Sequence, residues 1–355
     1  MICEKFIFCQ GESVVVMPQN RGIVMRKEWN VGDLLATSNG YWRGCTLQAG
    51  VRLAIFSTLS DQCLSVEKMV DLTGSDQRGT AFLLDALSAM GLVIKEDGLY
   101  RNSPEALTLL CKDSARYIGH IILHHHHILD GWAQLDEAVK RGEPPVSKRS
   151  YGEAVERESF LMGMFNLAMG IAPAIAEQID LSGRHRLLDL GGGPGTHAIH
   201  FCLANPDLDA VIYDRPTTRP FAMETVTEFG LQERIEFAGG DITEGSIPNG
   251  PYDAAWLSHI LHSNGPGSCQ QIIDKTVAAM EAGGMIMIHD FILDNSKDGP
   301  EFAALFSLNM LVNNPDGQCY SEEELTAMLH KSGVTNIVHH PFRGATGSSI
   351  LCGTV

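Results

Sequence analysis

From residue 186 to the end, short apolar runs alternate with longer stretches whose apolar residues recur every three or four positions. The runs at 187–190, 210–213, 234–238, 252–257 and 285–288 predict buried strands, and the stretches between them predict helices. Repetition of strand and helix predicts a parallel, doubly wound α/β sheet, which binds ligands at the carboxyl ends of its strands. Residues 29–105 read differently. Val51, Leu53, Ile55, Phe56 and Leu59 predict one apolar helix, and Phe82, Leu83, Leu84, Leu87, Met90 and Leu92 predict another, closed by Gly91. Ser65 is placed as an N-cap, and 92–100 forms a hairpin turning at Asp97-Gly98. Helices followed by a small hairpin make a winged-helix layout.

These patterns divide the chain into an uninformative extension (1–28), a mostly α-helical winged-helix domain with its linker (29–145) and an α/β domain (146–355). The linker is read at 140–150, around Gly142, Pro144 and Pro145. Residues 158–180 follow as one Met-rich amphipathic helix, suited to the core or to the lid of a small-molecule pocket.

Charge decides what the winged helix does. The 355-residue chain carries a net charge of −17, which opposes nucleic-acid binding, so the domain is read as a packing unit. Nine cysteines without a C-x-x-C pair argue against a zinc ribbon or a disulfide framework. No apolar run reaches the roughly 18 residues of a membrane helix, and the start lacks the apolar segment of a signal peptide. The expectation is a cytoplasmic protein with no membrane partner. His120, His124 and His127 share a helical face, but no acidic or cysteine ligand is spaced to match. They are read as a polar seam or a cleft lining, and no metal is expected.

The candidate chemistry begins at 186–195, RLLDLGGGPG. A buried strand, a glycine turn and a helix start in this order form a nucleotide-type binding unit. The glycines run Gly191-x-Gly193-x-Gly195, so the third comes one residue earlier than in the dinucleotide fingerprint, and Asp189 precedes the first by two. Asp214 ends the second strand, where a carboxylate can accept both ribose hydroxyls. After the third strand come Gly240, Asp241 and Ile242, suited to meet an adenine edge and face.

The D-x-G-x-G-x-G pattern, with DRP, GDI and LSHILH downstream, resembles the class I S-adenosyl-L-methionine-dependent small-molecule O-methyltransferases of the caffeic acid and acetylserotonin group. The resemblance runs from about Trp29 to the C-terminus. It implies a winged-helix dimerisation domain, a homodimer, the methyl donor S-adenosyl-L-methionine and a small-molecule acceptor. It also implies His262 as general base and Asp290 as the carboxylate orienting it. Ser258 and His259 fall near the cofactor, and Met310 and Asn314 fall in the acceptor pocket. Met162, Phe165, Asn166 and the 124–127 histidines are placed as further pocket lining. Where plant members have Asp-Trp after the catalytic His, this chain has Ser263-Asn264, and their second flanking carboxylate maps onto Cys319. The expected acceptor is therefore rather apolar. His259 and His289 are rival bases. Transfer to carbon or sulfur stays open, as does a cofactor-binding relative that decarboxylates or hydroxylates.

Overall fold

The computed structural model describes residues 7–9, 12–14, 28–145, 154–340, 342 and 347–355. Most of the extension and part of the linker, read at 1–28 and 140–150, lie outside the described residues. Within the extension, β1 (Ile7–Cys9) and β2 (Glu12–Val14) pair antiparallel.

The helical domain opens with α1 (Val31–Ser38), α2 (Tyr41–Arg52) and α3 (Ile55–Leu59). The single helix expected over 51–59 is broken. Leu53 is exposed and Ala54 takes a left-handed conformation (φ 52°), which turns α3 so that Ile55, Phe56 and Leu59 bury together. Gly50 permits the turn, because a Cβ there would stand 3.0 Å from the Phe56 ring. Ser65 caps α4 (Val66–Thr73) by accepting from the Lys68 N–H. Then α5 (Gln77–Ala89) ends as expected at left-handed Gly91, where the Leu92 and Gly91 N–H groups donate to the Leu87 and Ser88 carbonyls. The wing is β3 (Val93–Glu96) and β4 (Leu99–Asn102), joined by Asp97 and Gly98, both at positive φ.

After α6 (Pro104–Leu109), α7 (Gly119–His127) packs along α10 (Ala154–Met169), with α8 (Leu129–Trp132) and α9 (Leu135–Arg141) between them in sequence. Gly163 of α10 lies so close to α7 that a Cβ would meet the Ile121 backbone at 3.1 Å. The helix expected over 158–180 is two helices, since α10 stops at Gly170 and α11 (Ala172–Gln178) leaves at an angle of 47°. Pro173 in its first turn explains the break, for proline starts a helix readily but interrupts one. Among the described residues no single helix is long and apolar enough to cross a membrane.

The α/β domain follows as β5 (Arg186–Leu190), α12 (Thr196–Ala204), β6 (Asp209–Asp214), α13 (Arg219–Glu228), β7 (Ile235–Gly239) and β8 (Tyr252–Ser258). It continues with α14 (Pro266–Ala278), β9 (Met280–Asp290), α15 (Glu301–Asn313), α16 (Glu322–Lys331), β10 (Thr335–His340) and β11 (Ser349–Thr354). The sheet order is β10-β11-β9-β8-β5-β6-β7. All five expected strands are present and parallel. The sheet as a whole is mixed, because β11 runs antiparallel to both β9 and β10. Alternate residues feed two apolar layers. Leu187, Ile212, Trp256 and Met287 pack on Ile199 and Phe201 of α12, while Leu188, Val211, Leu257 and Ile288 pack with Ile272 of α14 and Leu325 of α16. Pairing Leu190 with Tyr213 and Ser258 with His289 brings the carboxyl ends of β5, β6, β8 and β9 to one edge. That edge carries the site.

Candidate active site

The glycine turn lies between β5 and α12, where the strand order reverses. Gly191 has φ 64°, and a Cβ there would meet Ile260 Cδ1 at 2.1 Å, so only glycine fits. Gly193 has φ 54° and no atom within 4 Å of where a Cβ would stand. Its N–H donates to Asp214 Oδ2 at 2.8 Å, and Asp214 Oδ1 accepts from the Arg215 N–H and the Thr218 hydroxyl. A carboxylate has about four lone-pair sites, so Asp214 retains capacity for a further donor. No side chain caps α12, and its first-turn residues Thr196, His197 and Ala198 are buried. A glycine loop with open space at Gly193 and a carboxylate at the next strand end fit an adenosyl ligand.

The other cofactor residues divide. Ile242 packs against the apolar layer that contains Tyr213, and Gly240 lies against the Tyr213 ring with its N–H on the Asp214 carbonyl. Asp241 Oδ1 accepts from the Thr243 N–H and hydroxyl, which turns the loop and holds this carboxyl below its usual range. Asp189 is buried beneath the loop rather than facing a ligand. Its Oδ2 accepts from the Ala198 N–H at 3.2 Å, and its Oδ1 has no hydrogen-bond partner. It ties the turn to α12. Ser258 likewise turns inward, its hydroxyl 2.9 Å from His289 Nδ1.

The proposed base sits in a short 3-10 turn, Leu261–Ser263, after β8. His262 is 8% exposed, and its Nδ1 lies 2.6 Å from Asp290 Oδ1. Asp290 also accepts the backbone N–H groups of His262 (3.3 Å) and Phe291 (2.8 Å). Burial raises the Asp290 carboxyl, but the electrostatic pull of the adjacent His262 and the hydrogen bond to it, with His259 nearby, outweigh it and hold the group well below the usual carboxylate range. An ionised Asp290 fixes the hydrogen of His262 on Nδ1 and leaves the Nε2 lone pair for an incoming proton. His259, at φ 56°, places Nδ1 3.6 Å from Asp290 Oδ1, too far for a hydrogen bond. His289 is fully buried with ring nitrogens 2.9 Å from the Ser258 and Ser348 hydroxyls. Burial keeps its imidazole well below the ordinary value, and its two hydroxyl partners tie it into the strand ends.

Sequence reasoning missed the aromatic surround. Phe291 stacks on His262 with centroids 5.9 Å apart, and Phe306 meets it edge-on at 5.0 Å. Phe302 extends the group, and Cys319 packs in the same cluster with its thiol pushed up to about 12 by burial. The i, i+4 spacing of Phe302 and Phe306 was the available signal. Met310 is buried on α15. Asn314 turns away from the lining role: its amide donates to the Ser263 carbonyl and accepts from Asp316 and Gly317, which props the His262 turn from below. Met162, Phe165 and Asn166 are partly buried on α10, which packs against both α7 and α12, and Asn166 Oδ1 is buried without a partner. The 124–127 run is a seam. His124 packs edge-on to Phe160 and is pushed down to about 4, chiefly by burial, while His126 bonds Arg52.

Residues 132–335 match the O-methyltransferase domain and residues 35–112 match the O-methyltransferase dimerisation domain. The chain belongs to the O-methyltransferase family. It is 30% identical over 322 residues to 3-hydroxy-5-methyl-1-naphthoate 3-O-methyltransferase of Streptomyces sahachiroi, covering 89% of this chain and 93% of that protein. It is 29% identical over 313 residues to the tetracenomycin 8-O-methyltransferase TcmO of Streptomyces glaucescens, covering 86% and 92%. Among solved structures, PigF with SAH superposes with a TM-score of 0.84 at 26% identity, over 92% of this chain and all of that one. This O-methyltransferase uses S-adenosyl-L-methionine and carries the family's dimerisation domain. The α/β fold expected from the alternation of strand and helix, and the reaction and cofactor that the resemblance implies, are thereby shown.

Proposed function

We propose that this O-methyltransferase methylates a hydroxyl on a planar, largely apolar aromatic acceptor, with His262 as general base and Asp290 as its positioning partner. The observation that carries the reading is the 2.6 Å Asp290–His262 pair set between Phe291 and Phe306. The bound cofactor supplies an electrophilic methyl group. Asp214 and the open glycine loop would hold that cofactor at the β5 and β6 ends. His262 Nε2 accepts the hydroxyl proton as the oxygen is alkylated, and Asp290 stabilises the imidazolium that results. The phenylalanines exclude water and offer flat faces to a ring system. The naphthoate substrate named for the Streptomyces sahachiroi relative is of this kind. Seven described cysteines are unpaired, which supports work in a reducing compartment such as the cytoplasm.

The test is methyl transfer to a panel of naphthols, simple phenols, aliphatic alcohols and thiols. Naphthol-type hydroxyls are expected to be preferred. His262→Ala should lower their kcat by roughly 10²–10⁴-fold, the usual contribution of a general base. Its thermal stabilisation by S-adenosylhomocysteine should match that of the wild type, since His262 takes no part in holding the cofactor. A thiol or carbon acceptor needs no such base. Unchanged turnover in His262→Ala would sink the assignment.

A further inference from the structure

One donor atom from each of His259, His262 and Asp290 lies within 4.8 Å of the other two, the one such convergence of three potential metal ligands among the described residues. Asp290 Oδ1 stands 2.6 Å from one nitrogen and 3.6 Å from the other. Two donors on one tetrahedral zinc ion stand about 3.3 Å apart, given metal–ligand bonds of about 2.0–2.1 Å. The two observed separations bracket that value. His259 Nδ1 is buried and has no hydrogen-bond partner, so nothing in the protein completes it. His259 follows the end of β8 and Asp290 ends β9, with the His259 N–H bonded to the His289 carbonyl, while His262 sits in the next 3-10 turn with its own N–H on Asp290, so the three positions are tied together at one end of the sheet.

We propose that His259, His262 and Asp290 form a site for a borderline divalent cation of the zinc class, and that its occupancy switches the base off. Two imidazoles and one carboxylate, with room for an exchangeable ligand, are the donor set of open zinc and related transition-metal sites. Magnesium and calcium prefer near-complete oxygen shells and are excluded by it. The cation takes the place of the hydrogen on His262 Nδ1. That hydrogen passes through solvent to Nε2, so the imidazole stays neutral and no net proton is lost. Nε2 then carries a hydrogen where the acceptor needs a lone pair. The switching half rests on the base assignment of His262, whereas the binding half does not.

The full-length protein, freed of metals with chelator, is titrated with Co²⁺ alone and followed by its visible d–d absorption. One equivalent is expected to produce the intense bands of a low-coordinate site, and Zn²⁺ should abolish them by displacement. His259→Gln and Asp290→Asn should each weaken Co²⁺ binding by more than about tenfold, the least that loss of even an outer-shell partner produces. A His126→Ala/His127→Ala double variant should bind as the wild type does. Circular dichroism of each variant separates loss of the site from loss of the fold. No saturable band in the wild type, a band that survives both site variants, or one lost with the double variant would overturn the site. Zn²⁺ should inhibit methyl transfer in step with binding, and EDTA should restore it. Saturation with unchanged turnover would overturn the switch. Failure of the base assignment shows independently, as an active His262→Ala in metal-free buffer.

Discussion

Asp189 shows how one side chain of a motif is spent on holding the turn. Its carboxyl is 1% exposed and pushed up to about 7 by burial, with the Asp214 charge adding and the Ala198 N–H bond opposing. An unfolded Asp titrates near 3.9. Below about pH 4 the group is protonated in both states and costs nothing. Between about 4 and 7 the unfolded chain ionises first, so the folded state loses stability as pH rises, by up to about 4 kcal/mol. Asp290 acts with the opposite sign. Its lowered folded pKa gives stability that is present above the unfolded value and lost only as the solution turns more acid. The two windows are therefore separate. Asp189→Asn should flatten the fall in melting temperature of the cofactor-free protein between about pH 4 and 7. Parallel wild-type and variant curves would show that Asp189 is ionised in place.

The elements show which parts of the fold could be read from periodicity. Strands fully buried in a parallel sheet are continuous apolar runs, and all five expected ones exist. Capping chemistry is local, so Ser65 and Gly91 fall where their residue types demand. What periodicity could not show was where a helix bends. Leu53 and Ala54 continue an apolar pattern, yet the chain turns there because Phe56 and Leu87 need the space beside Gly50. The antiparallel β11 was equally hidden, for strand direction depends on pairing rather than composition. In the site, histidines and carboxylates announced themselves by type, whereas Phe291 and Phe306 matter only through where the end of β9 and α15 lay them. Gly163 belongs with these positional residues. It lets α10 approach Ile121 of α7, and so sets the path of the helix bearing Met162, Phe165 and Asn166. Gly163→Val should cost about 1–3 kcal/mol through overpacking and raise KM for the acceptor more than it lowers stabilisation by S-adenosylhomocysteine. Urea unfolding at wild-type stability would show that α7 and α10 can part without strain.

For the whole molecule, the question is what covers α1. Val31, Leu34 and Leu35 are more than half exposed, no residue of α1 is buried, and Trp29, Tyr41 and Trp42 extend the same apolar ground. An eight-residue helix without tertiary burial is marginal in water. The surface belongs to a molecule of net charge −17, yet α1 carries only Asp33 among its charged residues. Its end lies in the region matching the dimerisation domain, so the occupant expected here is a second copy of this chain. A contact of that kind is held by apolar burial, with tryptophan as the usual anchor, while the like charges of two acidic molecules oppose it from the rim. Added salt screens the repulsion and leaves the burial intact. The dimer should therefore persist or tighten as ionic strength rises, contrary to an interface held by ion pairs. Leu35→Asp and Trp42→Glu each place a charge on the patch without disturbing any buried contact of the single subunit. Both should sediment as monomers that keep their secondary structure. A Leu35→Asp protein that remained dimeric at micromolar concentration would place the partner surface away from α1.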